Sequence, residues 1–255
     1  MLLATWNVNS LKARLPRVQA WISDVQPDVV LMQETKMTDK AFPALTFSEM
    51  GYESAHFGQG QWNGVAIVSK VGDRRADQLR SREADAEARI ITATCGGVKV
   101  ISVYVPNGRA LDHEHYQYKL RWLDSLRAHV QAVATPTDRL VVGGDFNIAP
   151  SDIDVWDPKA LEGSTHVSAP EREKLQALCD WGLRDVVREQ HPDPKIYSWW
   201  DYRNGSFHRG WGMRIDLMLV TNQVADNTTW SAIDRNARKG EQPSDHAPVL
   251  IEVST

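Results

Sequence analysis

The chain opens with short apolar runs that alternate with a stretch of helical spacing. Residues 2–6 form the first run, and apolar residues then recur every three or four positions over residues 11–25, with Ser10 as the predicted N-cap. Pro27 is expected to end that helix, and residues 29–32 predict a second strand. The order strand, helix, strand favours an α/β fold.

The middle of the chain carries apolar runs with little helical pattern between them. Residues 64–68, 90–94 and 98–104 predict three strands of an antiparallel meander. Residues 73–89 are rich in Arg, Asp, Glu and Ala and predict a solvated loop or hairpin edge. An amphipathic helix is then predicted over residues 112–133. Its expected inner face consists of Tyr116, Leu120, Leu123 and Leu126.

Further elements follow in the second half. Helices are predicted over residues 170–181, with Gly182 as C-cap, and near residues 184–190; strands are predicted over residues 215–220 and 248–253. The chain contains no short-period repeat, low-complexity tract or linker. We therefore expect one domain, residues 1–255, with two sheets and outer helices.

One polar motif follows a predicted buried strand directly. Residues 140–142 are apolar, and Gly143 and Gly144 allow the backbone to turn where the strand ends. Asp145 and Asn147 come next, and their spacing places both side chains on one face of extended chain. This strand end could be an ordinary Asx turn, or it could present an acid and an amide to a reactive site.

Composition narrows the class of protein. The 255 residues are 42% hydrophobic, which suffices for a substantial core, and the formal net charge of −4 gives no overall basic footprint. One face can still be basic on an acidic enzyme. No run approaches the roughly 20 apolar residues of a membrane span, and no basic leader is present, so we expect a soluble, cytoplasmic protein. Cys95 and Cys179 are expected to be buried thiols, although one disulfide is possible.

Polar side chains recur where predicted strands end or begin. The set consists of Asn7, Glu34, Tyr104, Asn107, Asp145, Asn147, Asp216, Asp245 and His246. Each of these residues, taken singly, also has a purely structural interpretation. Asn7, for example, could cap a turn. Glu34 could pair with Lys36, and Asp216 could pair with Arg214. Taken together, carboxylates and amides with one histidine and no cysteine suit a hard cation and attack of water on a phosphodiester. The chain has neither a Gly-x-Ser-x-Gly elbow nor a P-loop motif.

Eight short segments carry a resemblance to a known family. They are Trp6-Asn7-Val8-Asn9-Ser10, Gln33-Glu34-Thr35-Lys36, Asn63-Gly64-Val65-Ala66, Tyr104-Val105-Pro106-Asn107-Gly108, Gly144-Asp145-Phe146-Asn147, Trp199-Trp200-Asp201-Tyr202-Arg203, Gly212-Met213-Arg214-Ile215-Asp216 and Ser244-Asp245-His246-Ala247-Pro248. In this order they resemble the exonuclease III family of apurinic/apyrimidinic endonucleases, within the endonuclease/exonuclease/phosphatase superfamily. The resemblance runs from about residue 1 to residue 253.

The resemblance implies a four-layer α/β sandwich, in which two packed mixed β-sheets are flanked by helices. It also implies a magnesium ion, with manganese as a second possibility. Glu34 matches the principal ligand, with Asn7 and Asp245 nearby, and Asp145 and Asn147 also belong to the set that could contact the ion.

The same matching positions imply catalytic roles. Asp145 matches the residue that positions and deprotonates the attacking water, although His246 is the base in some accounts of the family. Asn147 would orient that group or bind the phosphate, and Asp216 would hold His246 against the scissile phosphate. Tyr104 and Asn107 would also bind the phosphate. The implied reaction is in-line hydrolysis that leaves a 3′-hydroxyl and a 5′-phosphate.

The implied partner is double-stranded DNA, especially abasic sites and 3′ ends, bound by a monomer. Trp199, Met213 and Ile215 match positions that line the pocket for a flipped abasic sugar in relatives, and ordinary core packing is the alternative for them. Candidate backbone contacts are Asn63, Arg89, Arg109, Arg203, Arg209 and Lys239. The chain departs from the vertebrate branch at Asn9, where that branch has an acid, and at Met213, where it has a tryptophan.

Three other functions compete with this interpretation. The superfamily also contains phosphatases for lipid or inositol head groups and general deoxyribonucleases, but the aromatic, Met-lined pocket favours the repair branch. A catalytically inactive DNA-binding scaffold would be expected to lose some of the six key polar residues. All six are present: Glu34, Asp145, Asn147, Asp216, Asp245 and His246.

Overall fold

The computed structural model describes residues 1–72 and 87–254. The strands in these ranges are β1 (Leu2–Asn7), β2 (Val29–Gln33), β3 (Glu53–Phe57), β4 (Val65–Ser69), β5 (Ile90–Cys95), β6 (Val98–Tyr104), β7 (Leu140–Asp145), β8 (Leu183–Asp185), β9 (Trp199–Trp200), β10 (Gly212–Met213), β11 (Asp216–Thr221), β12 (Thr228–Ile233) and β13 (Val249–Val253). The helices are α1 (Leu11–Val25), α2 (Ala44–Glu49), α3 (Glu114–Val133), α4 (Ala169–Trp181), α5 (Val186–Gln190), α6 (Ser206–Arg209) and α7 (Asn222–Ala225).

Two mixed sheets form the centre of the molecule. The first has the order β12-β13-β1-β2-β4-β3 and the second the order β5-β6-β7-β11-β8. Neighbours run antiparallel except for two parallel pairs, β1 with β2 and β6 with β7. One apolar cluster combines Leu31 of the first sheet with Val141 and Met218 of the second, so the inner faces of the sheets pack together.

Helices cover the outer faces of both sheets. Trp21 and Ile22 of α1 share a buried cluster with strand residues of the first sheet, and Leu126 of α3 and Leu178 of α4 share one with the second. This arrangement of helices, sheet, sheet and helices confirms the predicted four-layer sandwich. In the described ranges no helix combines the length and apolar character that a membrane crossing requires.

The local predictions for α1 and α4 are confirmed. The Ser10 side chain accepts a hydrogen bond from the backbone N of Ala13, and Gly182 terminates α4 at a φ of 132°. The prediction for α3 is wrong at one position, because Leu120 is only half-buried while Lys119 is completely buried. Both cysteines are free thiols; Cys95 is buried and Cys179 is half-buried.

The predicted three-stranded meander is wrong. Strands β5 and β6 form a hairpin in the second sheet, but β4 lies between β2 and β3 in the first sheet. All five residues of β4 are buried, so it has no polar face to indicate which neighbours it pairs with. The predicted solvated loop is wrong at Ala88 and Arg89, which are buried, and its residues 73–86 lie outside the described ranges.

Strand register brings the polar strand ends to one rim. Asp145 at the end of β7 lies opposite Tyr104 of β6 and opposite Asp216 of β11. In the first sheet, Asn7 ends β1 beside the end of β2. The close approach requires Gly144, because a Cβ built there would lie 1.9 Å from the carbonyl oxygen of Val103.

Candidate active site

Two carboxylates from different sheets meet at this rim through one amide. The Asn7 Nδ2 donates to Glu34 Oε1 at 2.8 Å and to Asp145 Oδ2 at 2.9 Å. The other Asp145 oxygen accepts from the backbone N of Asn147 at 2.9 Å. Glu34 and Asn147 have φ values of 52° and 50°, a backbone conformation that is concentrated at functional sites. The chain thus holds two acidic groups side by side at the cost of local strain.

A buried histidine faces the same carboxylates. His246 Nδ1 lies 2.9 Å and 3.1 Å from the two oxygens of Asp216, and its Nε2 lies 3.8 Å from Asp145 Oδ2. The predicted alternative of an Asp216–Arg214 pair is wrong. Arg214 lies before β11 begins, and its guanidinium contacts Asp154 and Asp185 instead. Asp216 is therefore free to orient the imidazole.

Burial and neighbouring charges shift the pKa values of Asp145 and His246. Burial raises the pKa of Asp145 to about 7; the His246 charge opposes this shift and the Asp216 charge adds to it. Burial alone would lower the pKa of His246, but Asp216 and Asp145 outweigh it and raise that pKa to about 10. At neutral pH the site therefore combines an imidazolium with a carboxylate that can accept a proton.

The donor set fits a hard divalent cation. Ligand atoms of Glu34, Asp145 and His246 lie within 4.8 Å of one another, and no other such group occurs among residues 1–72 and 87–254. The raised pKa keeps a proton on His246 near pH 7, and an imidazolium cannot ligate a metal. The carboxylates of Glu34 and Asp145 are then the available ligands. Two carboxylates and solvent are what magnesium prefers.

Cation affinity at this site should depend on pH. We expect binding to weaken as the pH falls through about 7, because a proton and the cation compete for the Asp145 carboxylate. Below pH about 7, cation binding should weaken about tenfold for each pH unit, because the cation must displace one proton from Asp145. Calorimetric titration with Mg²⁺ across this pH range measures the effect, and the Asp145→Asn variant is the control that should lack it. Equal affinity across the range would contradict the assignment.

Asp245 lies in a second chain of contacts rather than among the converging ligands. Lys36 Nζ pairs with Glu34 Oε2 at 2.8 Å, as one sequence alternative predicts, and donates to Asn9 Oδ1 at 2.6 Å. Asn9 in turn donates to Asp245 Oδ1 at 2.9 Å, and Trp199 Nε1 donates to Asp245 Oδ2 at 3.0 Å. Both Asp245 oxygens are thus engaged. The contacts of Asn9 with Lys36 and Asp245 were not predicted, because they join distant segments of the chain.

Two of the predicted phosphate-binding groups, Asn107 and Asn147, form a third cluster with His166. Asn147 Oδ1 accepts from Asn107 Nδ2 at 3.2 Å and lies 3.0 Å from His166 Nε2. The Asn147 amide nitrogen donates to the carbonyl of Val105 at 3.0 Å, which fixes the side chain. Burial and the charges of Glu34 and Asp145 raise the pKa of Tyr104, so its hydroxyl stays protonated. His166 was not predicted, because nothing in its local sequence distinguishes it from a loop residue.

The predicted pocket residues lie beside this site in an apolar cluster. Met213 and Ile215 are buried with Ala149 and Val155, and Trp199 packs against them. The backbone of Trp199 also pairs with that of Met213 across β9 and β10, and it forms an isolated β-bridge with His246. Met213 and Ile215 are therefore core residues, as the alternative interpretation of the sequence predicted. Trp199 is half-buried and reaches the rim.

The candidate DNA-contacting groups divide by exposure. Arg89 is buried, donates to Glu87 and to the Tyr104 carbonyl, and lies over the Tyr104 ring. Asn63 is buried and donates to Glu87 at 3.2 Å. Arg89 thus supports Tyr104 and Asn63 bonds to the same Glu87, and neither side chain projects to solvent. The exposed members are Arg109, Arg203, Arg209 and Lys239.

The sequence matches a known protein family and is similar to a protein of known name. Residues 4–246 match the sequence model of the Endonuclease/Exonuclease/phosphatase family. Exodeoxyribonuclease III of Haemophilus influenzae is 32% identical over 99% of both chains.

Two solved structures are also similar to this chain over their full length. The 3′ phosphatase NExo from Neisseria, bound to a product DNA hairpin, is 41% identical with a TM-score of 0.94 over the full length of both chains. An AP endonuclease from Archaeoglobus fulgidus is 36% identical, also with a TM-score of 0.94 over both full lengths. The fold, over the full length of the chain, is thus similar to that of these two proteins.

Proposed function

Because the chain belongs to the endonuclease/exonuclease/phosphatase family, as a homologue of exodeoxyribonuclease III, we propose that it is a DNA-repair nuclease that hydrolyses phosphodiesters at 3′ ends and on the 5′ side of abasic sites in duplex DNA. The observation that carries the proposal is the convergence of Glu34, Asp145 and His246 at one rim. The match over residues 4–246 also supports a single catalytic domain.

Asp145 is the proposed general base. Burial raises its pKa to about 7 in the absence of a cation, and its hydrogen bonds from Asn7 and the Asn147 backbone fix the direction of its lone pairs. In the proposed step a water oxygen bonds to phosphorus, one water proton moves to Asp145, the bond from phosphorus to the 3′ oxygen breaks, and the leaving 3′ oxygen takes a proton from solvent. The products are a 3′-hydroxyl and a 5′-phosphate.

His246 is the proposed electrostatic partner of the scissile phosphate. Asp216 holds Nδ1, and the imidazolium Nε2 is left to donate to a phosphate oxygen as negative charge develops there. A doubly protonated imidazole cannot itself accept the water proton, which supports Asp145 rather than His246 as the base. Asn107, Asn147 and Tyr104 supply further neutral donors.

Mg²⁺ is the proposed cofactor, with Mn²⁺ as a possible substitute. Glu34 and Asp145 would hold it, and Asp245 and Asn147 lie at the margin of the same rim. The all-oxygen donor set supports a hard cation over zinc. When bound, the ion would withdraw charge from the phosphate oxygens and the leaving oxygen.

The DNA backbone is proposed to run over the exposed cations Arg109, Arg203, Arg209 and Lys239. With a net charge of −4, the chain can attract DNA only through such a local basic surface. Trp199, which packs against the buried Met213 and Ile215, is the apolar side chain that a flipped abasic sugar would contact.

Processing of 3′ ends is proposed as the dominant activity and abasic-site incision as the second. The support for this order is the 41% identity with the Neisseria protein, described as a 3′ phosphatase, against 36% with the AP endonuclease of A. fulgidus.

The purified chain should be tested with Mg²⁺ on four substrates in parallel: a recessed 3′ end, a 3′-phosphate, an internal abasic site and an inositol phosphate. We expect hydrolysis of the two 3′ substrates, slower incision at the abasic site and no action on the inositol phosphate. The Asp145→Asn variant, purified identically, controls for contaminating nucleases. Hydrolysis of the inositol phosphate with all DNA substrates intact would contradict the proposal.

A further inference from the structure

A completely buried lysine lies directly behind the phosphate-binding cluster. Lys119 occupies the inner face of α3, where helical periodicity calls for an apolar side chain. Its Nζ donates to the carbonyl oxygen of Asn147 at 2.6 Å and to that of Asn107 at 3.3 Å, and it pairs with Glu171. One ammonium group therefore holds the backbones of both predicted phosphate-binding asparagines.

Glu171 extends this network to a third segment. It lies in the first turn of α4, where its Oε2 accepts from the Ser168 backbone N at 3.2 Å in a capping box. Its Oε1 accepts from the Thr165 hydroxyl at 2.8 Å and from the His166 backbone N at 3.0 Å. Glu171 thus fixes the backbone of His166, whose ring contacts Asn147 Oδ1.

Lys119 and Glu171 shift each other's pKa, since burial lowers the pKa of Lys119 and the Glu171 charge opposes that shift. Burial alone would raise the pKa of Glu171, but Lys119 and the surrounding hydrogen-bond donors outweigh it and lower that pKa. The packing around the pair is also tight, because a Cβ at Gly108 would lie 2.8 Å from Thr165 Oγ1 and 3.2 Å from Lys119 Cδ. Gly108 therefore lets the segment that carries Asn107 close onto the lysine.

Helix packing does not by itself account for the pair. Well-packed apolar residues commonly stabilise a protein interior as well as a buried ion pair does. An apolar side chain at position 119 could not bond to acceptors in three separate segments. We propose that Lys119 and Glu171 are positioning residues that hold the Asn107 and Asn147 amides, with His166, in the geometry that the scissile phosphate requires. This inference rests on the proposed nuclease function.

The test is the kinetics of Lys119→Met on a 3′-recessed duplex. We expect kcat to fall by about 10- to 100-fold with KM changed by less than about 3-fold, because outer groups that orient catalytic side chains have effects of that size. The matched control is Lys174→Met. Lys174 of α4 pairs with Asp124 of α3 at 2.7 Å, so it joins the same two helices without contacting the site. The control should retain wild-type kcat.

Two further measurements separate positioning from stability. In the Asn147→Ala background, Lys119→Met should lower kcat by a smaller factor than in the wild-type chain, because one of the two amides through which the lysine acts is lost while Asn107 remains. The double variant Lys119→Met/Glu171→Gln avoids a lone buried charge, and it should fold but keep the kcat defect. If it folds with wild-type kcat, or if the effects of Lys119→Met and Asn147→Ala simply multiply, the inference is overturned. A wild-type chain that hydrolyses no DNA would instead refute the proposed function.

Discussion

Replacement of Asp145 by asparagine is expected to lower the single-turnover rate on a 3′-recessed duplex by a factor on the order of 10⁴. The amide has nearly the same shape, so Asn147 N retains its acceptor, but the side chain can no longer take a proton. The variant also loses one of the two carboxylates that converge at the rim. DNA affinity, measured by fluorescence anisotropy without metal, should change by less than about 3-fold, because removing an anion does not weaken backbone contacts.

The matched control for Asp145→Asn is Asp180→Asn. Asp180 lies on the outer helix α4 and contacts only Gln176 among the described hydrogen bonds. Its replacement should leave both rate and affinity unchanged. A rate for Asp145→Asn within about tenfold of wild type would remove Asp145 from the role of base.

Replacement of Glu34 by glutamine is expected to raise the Mg²⁺ concentration required for half-maximal activity by at least about 100-fold. Loss of an outer partner of a ligand already weakens metal binding by about 10- to 100-fold, and Glu34 is a candidate ligand itself. The variant also leaves Lys36 without its 2.8 Å partner, which adds uncompensated positive charge beside the cation. Activity measured against Mg²⁺ concentration, with Glu49→Gln on α2 as the surface control, gives the shift. An unchanged requirement would place the cation elsewhere.

The sequence alone predicted the general fold because its signals are local. Apolar runs define strands such as β2 and β7, and small or polar residues mark where they end. The family resemblance implies that Asn7 lies near Glu34, and one amide hydrogen bond joins them at 2.8 Å. The polar strand ends thus indicated the site before any contact was known.

Contacts between distant segments could not be predicted in this way. The continuous apolar run of β4 fits either sheet, so its position beside β2 depends on tertiary packing. Arg214 pairs with Asp154, 60 residues away in sequence, rather than with its neighbour Asp216. The inner face of α3 is predicted from the spacing of apolar residues only. For this reason Leu120 was predicted to be buried in place of Lys119.

Reversible metal dependence tests the central claim most directly. The purified wild-type chain is mixed with a 3′-recessed duplex, EDTA is added during the reaction, and excess Mg²⁺ is then restored. If Glu34 and Asp145 hold a required cation, release of mononucleotides should stop with EDTA and resume with Mg²⁺. Release that continues undiminished in EDTA would contradict the account.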